Sequence, residues 1–495
     1  MNSCAIWRLT PAAHYLRLLV WTSGFYLLLV GGVLASDRPN IVFIFTDDMG
    51  WKDVGYHGSE IRTPQIDRLA AAGVKLEQHY VQPVCTPTRG AFLTGRYPMR
   101  YGLQRGVVLP WSTHGLPASE RTIADALKDE GYTTAIVGKW HLGHSEKAFL
   151  PLQHGFETHY GFYLGMTDYF THQSPSAGGL DWHRQEQAVR EEGYTTELFG
   201  REAVRIIETH DLEKPLFLYV AFNAPHTPLQ APPEYEKRYA DLPDASRRTY
   251  AAMVECEDAQ IGAIWRALEE RGMTKNTLVV FSSDNGGSLQ HAANNAPLRD
   301  GKGSLYEGGV RVPAFAVWPD RIKAGSIIEQ PVHVVDWHPT VLALAGARPG
   351  STHAALDGID IWPAITRGAK LPERSILLNT TPNSGAIRTG DWKLVLNGSQ
   401  REGEEGGAAR RRKAAGALAA DESTVELFNL ASDRGEKNDL AAEQPEKVRE
   451  LRSKLEAFAR QAVPPPNTAR PIGFKAPAVW GEFSTDASTR KTATP

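Results

Sequence analysis

Several short stretches of this chain carry residue types suited to one kind of chemistry. Cys85-Thr86-Pro87-Thr88-Arg89-Gly90 places a cysteine at the start of a helix. Pro87 suits the first helical position because it has no N–H to leave unpaired, and Thr86 is the expected cap. A helix start attracts anions, and Arg89 adds a planar fork of donors that matches an oxyanion. Asp47-Asp48 and Asp284-Asn285 offer oxygen donors with three formal negative charges, the set a hard divalent cation prefers. Neither turn contains the His or Cys that zinc favours, and the oxygen set alone leaves Ca²⁺ and Mg²⁺ both open. Arg89, Lys139 and Lys302, with His141 and His226, add the positive counterpart. Such a pocket suits a tetrahedral oxyanion, sulfate or phosphate.

These residues need elements to bring them together. Residues 40–45 (Asn-Ile-Val-Phe-Ile-Phe) form a continuous apolar run, as in a fully buried parallel strand, and it ends at Asp47-Asp48. Thr63-Pro64 opens a helix that stops at Gly73. Residues 74–80 are extended and lead to Cys85. A helix over 120–130 closes at Gly131, and a strand over 132–137 runs into Gly138-Lys139-Trp140-His141-Leu142-Gly143. Lys139 and His141 are two apart, so they share one face of an extended chain. The strand at 216–222 ends at Asn223-Ala224-Pro225-His226, and the strand at 277–281 ends just before Asp284-Asn285. A long helix over 247–271 holds Cys256 as core. Lys302 and Glu307 lie in the glycine-rich stretch 298–309, and a further helix spans 334–347. Strand, polar strand end and helix recur, which predicts an α/β domain with a large, mostly parallel sheet flanked by helices and its site along one edge.

That domain is expected over 37–372. A smaller C-terminal α+β part follows over 373–465: a hairpin at 386–396, a strand at 425–430, a helix at 445–462 and a flexible loop near 398–421. Residues 466–495 read as an irregular tail. Arg410 to Lys413 are basic, but acidic neighbours at 402, 404 and 405 and a formal net charge of -3 over 495 residues argue against a nucleic-acid partner. Arg8 and Arg17 precede an apolar run over 18–34 that ends in Val33-Leu34-Ala35. This is the pattern of a signal peptide, 1–35, on a secreted or periplasmic protein with no membrane span after cleavage; an uncleaved anchor is the alternative. Cys4 lies in that leader. A Cys85–Cys256 disulfide is the structural alternative to a functional Cys85.

The same stretches, in this order, resemble the type I sulfatase family, and within it the arylsulfatase B-like enzymes. The stretches are Asn40-Ile41-Val42 through Asp47-Asp48-Met49-Gly50-Trp51; Cys85-Thr86-Pro87-Thr88-Arg89-Gly90 with Leu93-Thr94-Gly95-Arg96; Gly138-Lys139-Trp140-His141-Leu142-Gly143; Ala224-Pro225-His226-Thr227-Pro228-Leu229-Gln230; and Ser283-Asp284-Asn285-Gly286-Gly287. The resemblance implies an alkaline-phosphatase-like fold and a sulfuric ester hydrolase. By that likeness Cys85 would be oxidised to formylglycine by a separate maturation enzyme. Asp47, Asp48, Asp284, Asn285 and residue 85 would bind one Ca²⁺. Arg89 would hold residue 85; Lys139, His226 and Lys302 would bind sulfate; His141 would assist turnover. The hydrated aldehyde, a gem-diol, would attack sulfur, and His226 or Lys302 would protonate the leaving oxygen. The second hydroxyl would then release sulfate from the covalent sulfo-enzyme intermediate.

The substrate implied is a sulfated carbohydrate or aryl sulfate, with the 4-position of a galactose or N-acetylgalactosamine unit as the expected ester. Two other readings share these residues: a phosphate or phosphonate monoester hydrolase of the same superfamily, and a non-catalytic sulfated-glycan binding protein with Cys85 unmodified. Tyr169, His172, Asp181, Trp182 and His183 fall in an insertion, where they either line a sugar subsite or pack the loop.

Overall fold

The computed structural model describes residues 38–347, 354–381, 384–398 and 424–483, all within one compact unit, Ala35–Pro495. The expected leader 1–35, nearly all of the loop 398–421 and the end of the tail lie outside the described residues. Among the described residues no helix is long and apolar enough to cross a membrane.

The strands of the large sheet are β1 (Asn40–Thr46), β2 (Val74–Leu76), β4 (Thr133–Lys139), β5 (Thr158–Phe162), β6 (His183–Arg184), β7 (Gln187–Ala188), β8 (Leu216–Ala221), β9 (Thr277–Ser283), β10 (Ala314–Val317) and β11 (Ser326–Ile328). Their order is β11-β2-β10-β9-β1-β8-β4-β5-β6-β7. The centre, β9-β1-β8-β4-β5, is parallel throughout. Two short strands, β3 (His79–Tyr80) and β12 (Val332–His333), pair beside it.

Strand periodicity explains why the sheet is covered on both faces. Side chains alternate between faces, so Ile41, Phe43 and Phe45 of β1 feed one core, and Val42 and Ile44 feed the other. Neighbouring β8 divides in the same way, with Phe217 and Tyr219 on one side and Leu216, Leu218 and Val220 on the other. The first core receives Ala91, Phe92 and Leu93 from the helix Cys85–Thr94. The second receives Leu198, Phe199, Ala203 and Ile207 from Thr195–Thr209, and Val254, Ile261, Ile264 and Leu268 from Ala245–Glu270.

The smaller sheet is antiparallel, in the order β13 (Ser375–Thr381), β14 (Ser384–Thr389), β15 (Trp392–Leu396), β16 (Val425–Asn429). Its Leu377, Ile387, Leu394 and Leu427 face the helix Pro445–Ala459 through Leu451 and Leu455. Its other face, Ile376, Leu378, Ala386, Val395 and Phe428, packs on Tyr80, Leu305 and Val310 of the larger part.

Element boundaries differ from expectation by a few residues, and two differences matter. The strand expected to end at Val137 continues to Lys139, because Gly138 and Lys139 pair with Gly161 and Phe162 of β5. Lys139 is therefore the last rung of a buried strand. The helix expected over 120–130 is shorter, Ile123–Asp129, because Thr122 caps it reciprocally with Asp125. Residues 466–483 have no helix or strand, and Trp480 among them is buried and bonds Gly178 and Leu180.

Candidate active site

The strand order assembles the site. β9, β1, β8 and β4 are parallel neighbours, so their carboxyl ends emerge side by side. Thr46 of β1 is opposite Ser283 of β9, which sets Asp47-Asp48 beside Asp284-Asn285. The two turns are stitched together: the Asp48 N–H donates to Asp284 Oδ1 at 3.4 Å, and Asn285 Nδ2 donates to Asp48 Oδ1 at 2.8 Å. β8 delivers His226 and β4 delivers Lys139 and His141 to the same edge. Asp48 and His141 both hold left-handed backbone, φ 71° and 57°, a strain that non-glycine residues keep only where the surroundings enforce it.

The charges pair closely. Lys139 Nζ lies 2.5 Å from Asp47 Oδ2, and Lys302 Nζ lies 3.0 Å from Asp48. Arg89, fully buried, grips Asp284 Oδ2 through Nε at 3.1 Å and Nη2 at 2.8 Å, and donates from Nη1 to the Lys139 carbonyl at 3.0 Å. Burial works to raise Asp48, but Lys302 and His226 win and hold it well below the usual carboxylate range. Burial lifts Asp47 against the pull of Lys139 and Arg89, and burial with the nearby Asp47 charge pushes Asp284 up to about 6.

Two acceptors are left over in this dry site. Asp47 Oδ1 and Asn285 Oδ1 are buried without a hydrogen-bond partner. Ligand atoms of Asp47, Asp48 and His226 all lie within 4.8 Å of one another. Orphaned, oxygen-rich and anionic, this corner fits a divalent cation. Asp47, Asp48 and Asn285 would hold it; Asp284 reaches the same corner but commits Oδ2 to Arg89. Three carboxylates face three permanent cations, Arg89, Lys139 and Lys302. A divalent cation and a doubly charged oxyanion entering together would leave that balance unchanged.

Cys85 begins its helix as expected, 1% exposed. Thr86 is not the cap. Val84 takes that place because its backbone is extended, with no side-chain capping bond. The Thr86 hydroxyl donates instead to the His141 carbonyl at 2.9 Å and accepts from the Val108 N–H at 3.1 Å. It fastens the turn after residue 85 to His141. Both Cys85 and Cys256 are free and buried, so no disulfide joins them. Burial pushes the Cys85 thiol up to about 12 despite Lys139 and Lys302, so the unmodified side chain is a poor nucleophile.

His141 is set up as a base. Its Nε2 lies 3.1 Å from the Val108 carbonyl, which only accepts, so the proton sits on Nε2. Nδ1 then carries the lone pair, and it is buried without a partner. Burial first, then Lys139 and Arg89, hold the imidazolium well below its ordinary range, so His141 is neutral near pH 7. His226 is fixed the other way round. Its Nδ1 donates to the Thr227 carbonyl at 2.7 Å, and its Nε2 faces Asp48 Oδ2 at 3.8 Å.

Of the residues supporting His226, Glu257 has no signature in the sequence. Glu257, wholly buried on the long helix, is raised well above its usual range by burial and by nearby Asp47. The Thr46 hydroxyl donates to Glu257 Oε2 and also lies against the Ala224 carbonyl, both at 2.9 Å. The Tyr169 hydroxyl lies 2.6 Å from the Asn223 carbonyl and 2.7 Å from that of His226. Tyr169 therefore packs and bonds behind the site. The other four insertion residues are buried too. Trp182 stacks on His172 and Phe199, His183 stacks on Tyr163, and Asp181 accepts the Tyr163 and Leu164 N–H groups at 3.0 and 2.8 Å. The alternative of an open sugar subsite built from these five is set aside: they are the core of the insertion. Tyr169→Phe should cost about 1 kcal/mol of stability. It should also lower kcat several-fold, because both carbonyls beside His226 lose their donor; an unchanged kcat would show that the loop holds without it.

Comparison with known proteins points one way. Residues 39–347 match the family model described as Sulfatase. Arylsulfatase J of Mus musculus is 37% identical over 496 residues, covering 93% of this chain and 83% of that protein. N-acetylgalactosamine-6-sulfatase of Mus musculus is 36% identical, covering 77% of this chain and 75% of that protein. Among solved structures, Ps i-CgsB in complex with k-i-k-neocarrahexaose superposes with a TM-score of 0.76 at 33% identity, covering 86% of this chain and 94% of that one.

Proposed function

The chain belongs to the sulfatase family and is a sulfuric ester hydrolase, and from that premise we propose that it removes sulfate from a sulfated carbohydrate of the galactose type. One relative is named for N-acetylgalactosamine, and one structural neighbour holds a neocarrahexaose. The first of these names puts the ester at the 6-position, so the 4-position expected from the arylsulfatase B-like resemblance is one arm of the test and the 6-position the other.

The observation that carries the reading is the balanced pocket: three carboxylates, three cations and two orphaned acceptor oxygens at the carboxyl ends of four parallel strands. In this reading residue 85 works as formylglycine, which supplies the attacking oxygen. Asp47, Asp48 and Asn285, with Asp284 beside them, would hold a Ca²⁺ ion, which would supply positive charge there. The rest falls to the chain. Arg89 fixes Asp284 and the β4 end against residue 85. Lys139 and Lys302 carry positive charge to the sulfate oxygens, and His226 lines the same edge. His141 Nδ1 takes a proton beside residue 85, while His226 or Lys302 gives one to the leaving oxygen. The signal-peptide pattern of residues 1–35 supports an activity outside the cytoplasm.

The test has two parts. Protein made alongside a competent maturation enzyme is digested, and the mass of the residue-85 peptide is read. Sulfate release is then measured on a panel of defined galactose and N-acetylgalactosamine sulfates, 4- and 6-linked, with a phosphate monoester beside them. The expected result is aldehyde mass and sulfate release from at least one sugar. Intact thiol with full activity, or turnover of the phosphate ester alone, would overturn the reading.

A further inference from the structure

Lys302 sits on a loop, and a loop needs something rigid to hold a charge in place. Glu307, five residues further on, has no role in the reading above, yet it is completely buried. It meets Lys393, from the start of β15 in the small sheet, also completely buried. Lys393 Nζ lies 2.9 Å from Glu307 Oε1 and 2.8 Å from Glu436 Oε1. Glu307 Oε2 accepts the Tyr80 hydroxyl at 2.7 Å and lies 3.4 Å from Arg311 Nη1. The Glu307 N–H donates to Glu436 Oε2 at 2.6 Å, and Arg388 of β14 donates to the Tyr80 oxygen.

This cluster lies beside the apolar contact between the small sheet and Tyr80, Leu305 and Val310. Apolar residues would fill that contact at no electrostatic cost, since burying ions costs several kcal/mol per charge before pairing repays it. Buried ion pairs of this kind are directional, so the useful question is what they align. Tyr80 lies on the strand that leads to Cys85, and Val81 pairs with Val310 through its N–H. The Gly303 N–H donates to the Pro83 carbonyl at 2.8 Å, two residues before Cys85. The Lys302 N–H donates to the Gly287 carbonyl at 3.1 Å, two residues after Asn285. Glu307 is thus the junction of three pieces: the approach to Cys85, the Lys302 loop and the small sheet.

We infer that the buried Lys393–Glu307 pair is a positioning device that sets Lys302 against residue 85, making the small C-terminal sheet part of the catalytic apparatus. This rests on the role proposed above for Lys302 at the sulfate and the leaving oxygen. Lys393 touches no substrate; it acts through Glu307 and the loop.

The readout is leaving-group dependence. A sugar alcohol is a poor leaving group and needs a proton, whereas para-nitrophenolate leaves without one. Lys393→Met, Lys302→Ala and the double variant are assayed on a sugar sulfate and on para-nitrophenyl sulfate. Lys393→Met is expected to lose roughly tenfold to a hundredfold in kcat on the sugar ester, the scale of a small misplacement, and less than about threefold on the aryl ester. The double variant should be no worse than Lys302→Ala alone, because both act on one group. Where Lys302→Ala discriminates between the two esters, equal losses on both for Lys393→Met would overturn the inference, and in every case additive losses in the double variant would overturn it and leave Lys393 a purely structural residue. If Lys302→Ala itself lost both activities equally, the leaving-oxygen role of Lys302 would fall, while additivity would still decide the pairing. Should Lys393→Met not fold, Glu307→Gln/Lys393→Met removes both charges and carries the same comparison.

Discussion

Cys85→Ala should abolish sulfate release and leave the fold standing. The two halves of that result have separate causes. Residue 85 opens its helix, but the cap geometry belongs to Val84 and the fastening bonds belong to Thr86 and Arg89. Loss of one buried sulfur leaves a small cavity and costs about 1 kcal/mol. Activity, by contrast, loses its attacking atom; a fall of roughly ten-thousandfold or more is expected. Cys85→Ser sharpens the test. Serine offers one hydroxyl, so a sulfated serine has no second hydroxyl with which to expel sulfate. That variant should at most consume one ester per enzyme molecule and stop. Thermal melts and released sulfate measure both halves, and multiple turnover by either variant would sink the assignment of residue 85.

Much of this site is readable before any coordinates, and the reason is local. An apolar run such as residues 40–45 reads as a fully buried strand, so the aspartates that end it are expected at a sheet edge. Lys139, His226 and Asp284 announce themselves in the same way. Once β9, β1, β8 and β4 are known to be adjacent, convergence follows from parallel pairing. What escapes is whatever depends on distant parts of the chain. Thr86 resembles a cap by type, but its hydroxyl is claimed by His141 and Val108, partners no local window contains. Tyr169 and Trp182 look like sugar-binding aromatics, and only burial shows them to be packing. Glu307 reads as one acid in a glycine-rich loop until Lys393, far along the chain, is seen to reach it. Trp480 sits in a stretch with no periodicity and still anchors on the insertion.

Arg89→Met should make the protein depend on calcium for its stability. Arg89 donates twice to Asp284 Oδ2 and once to the Lys139 carbonyl, and lies 3.6 Å from Asp47, all without access to water. Methionine keeps much of the length and removes every donor. Asp284 is then a buried carboxylate with its main partner gone, a loss of about 3–5 kcal/mol. The same change leaves the pocket with three carboxylates against two cations, Lys139 and Lys302. A divalent cation restores the balance. Removing a positive charge beside the corner of a doubly charged ion relieves a repulsion of several kcal/mol, so calcium affinity should rise by roughly a hundredfold or more. Ligand that binds only the folded state raises Tm by mass action. Calcium should therefore raise the Tm of Arg89→Met more than that of the unaltered protein, and chelation should lower it more. Arg89→Lys, which keeps the charge but not the fork, should lose the Asp284 grip without gaining the calcium dependence. A calcium shift of equal size in all three proteins would mean that Arg89 does not face the cation, and no shift in any would remove the cation from this corner altogether.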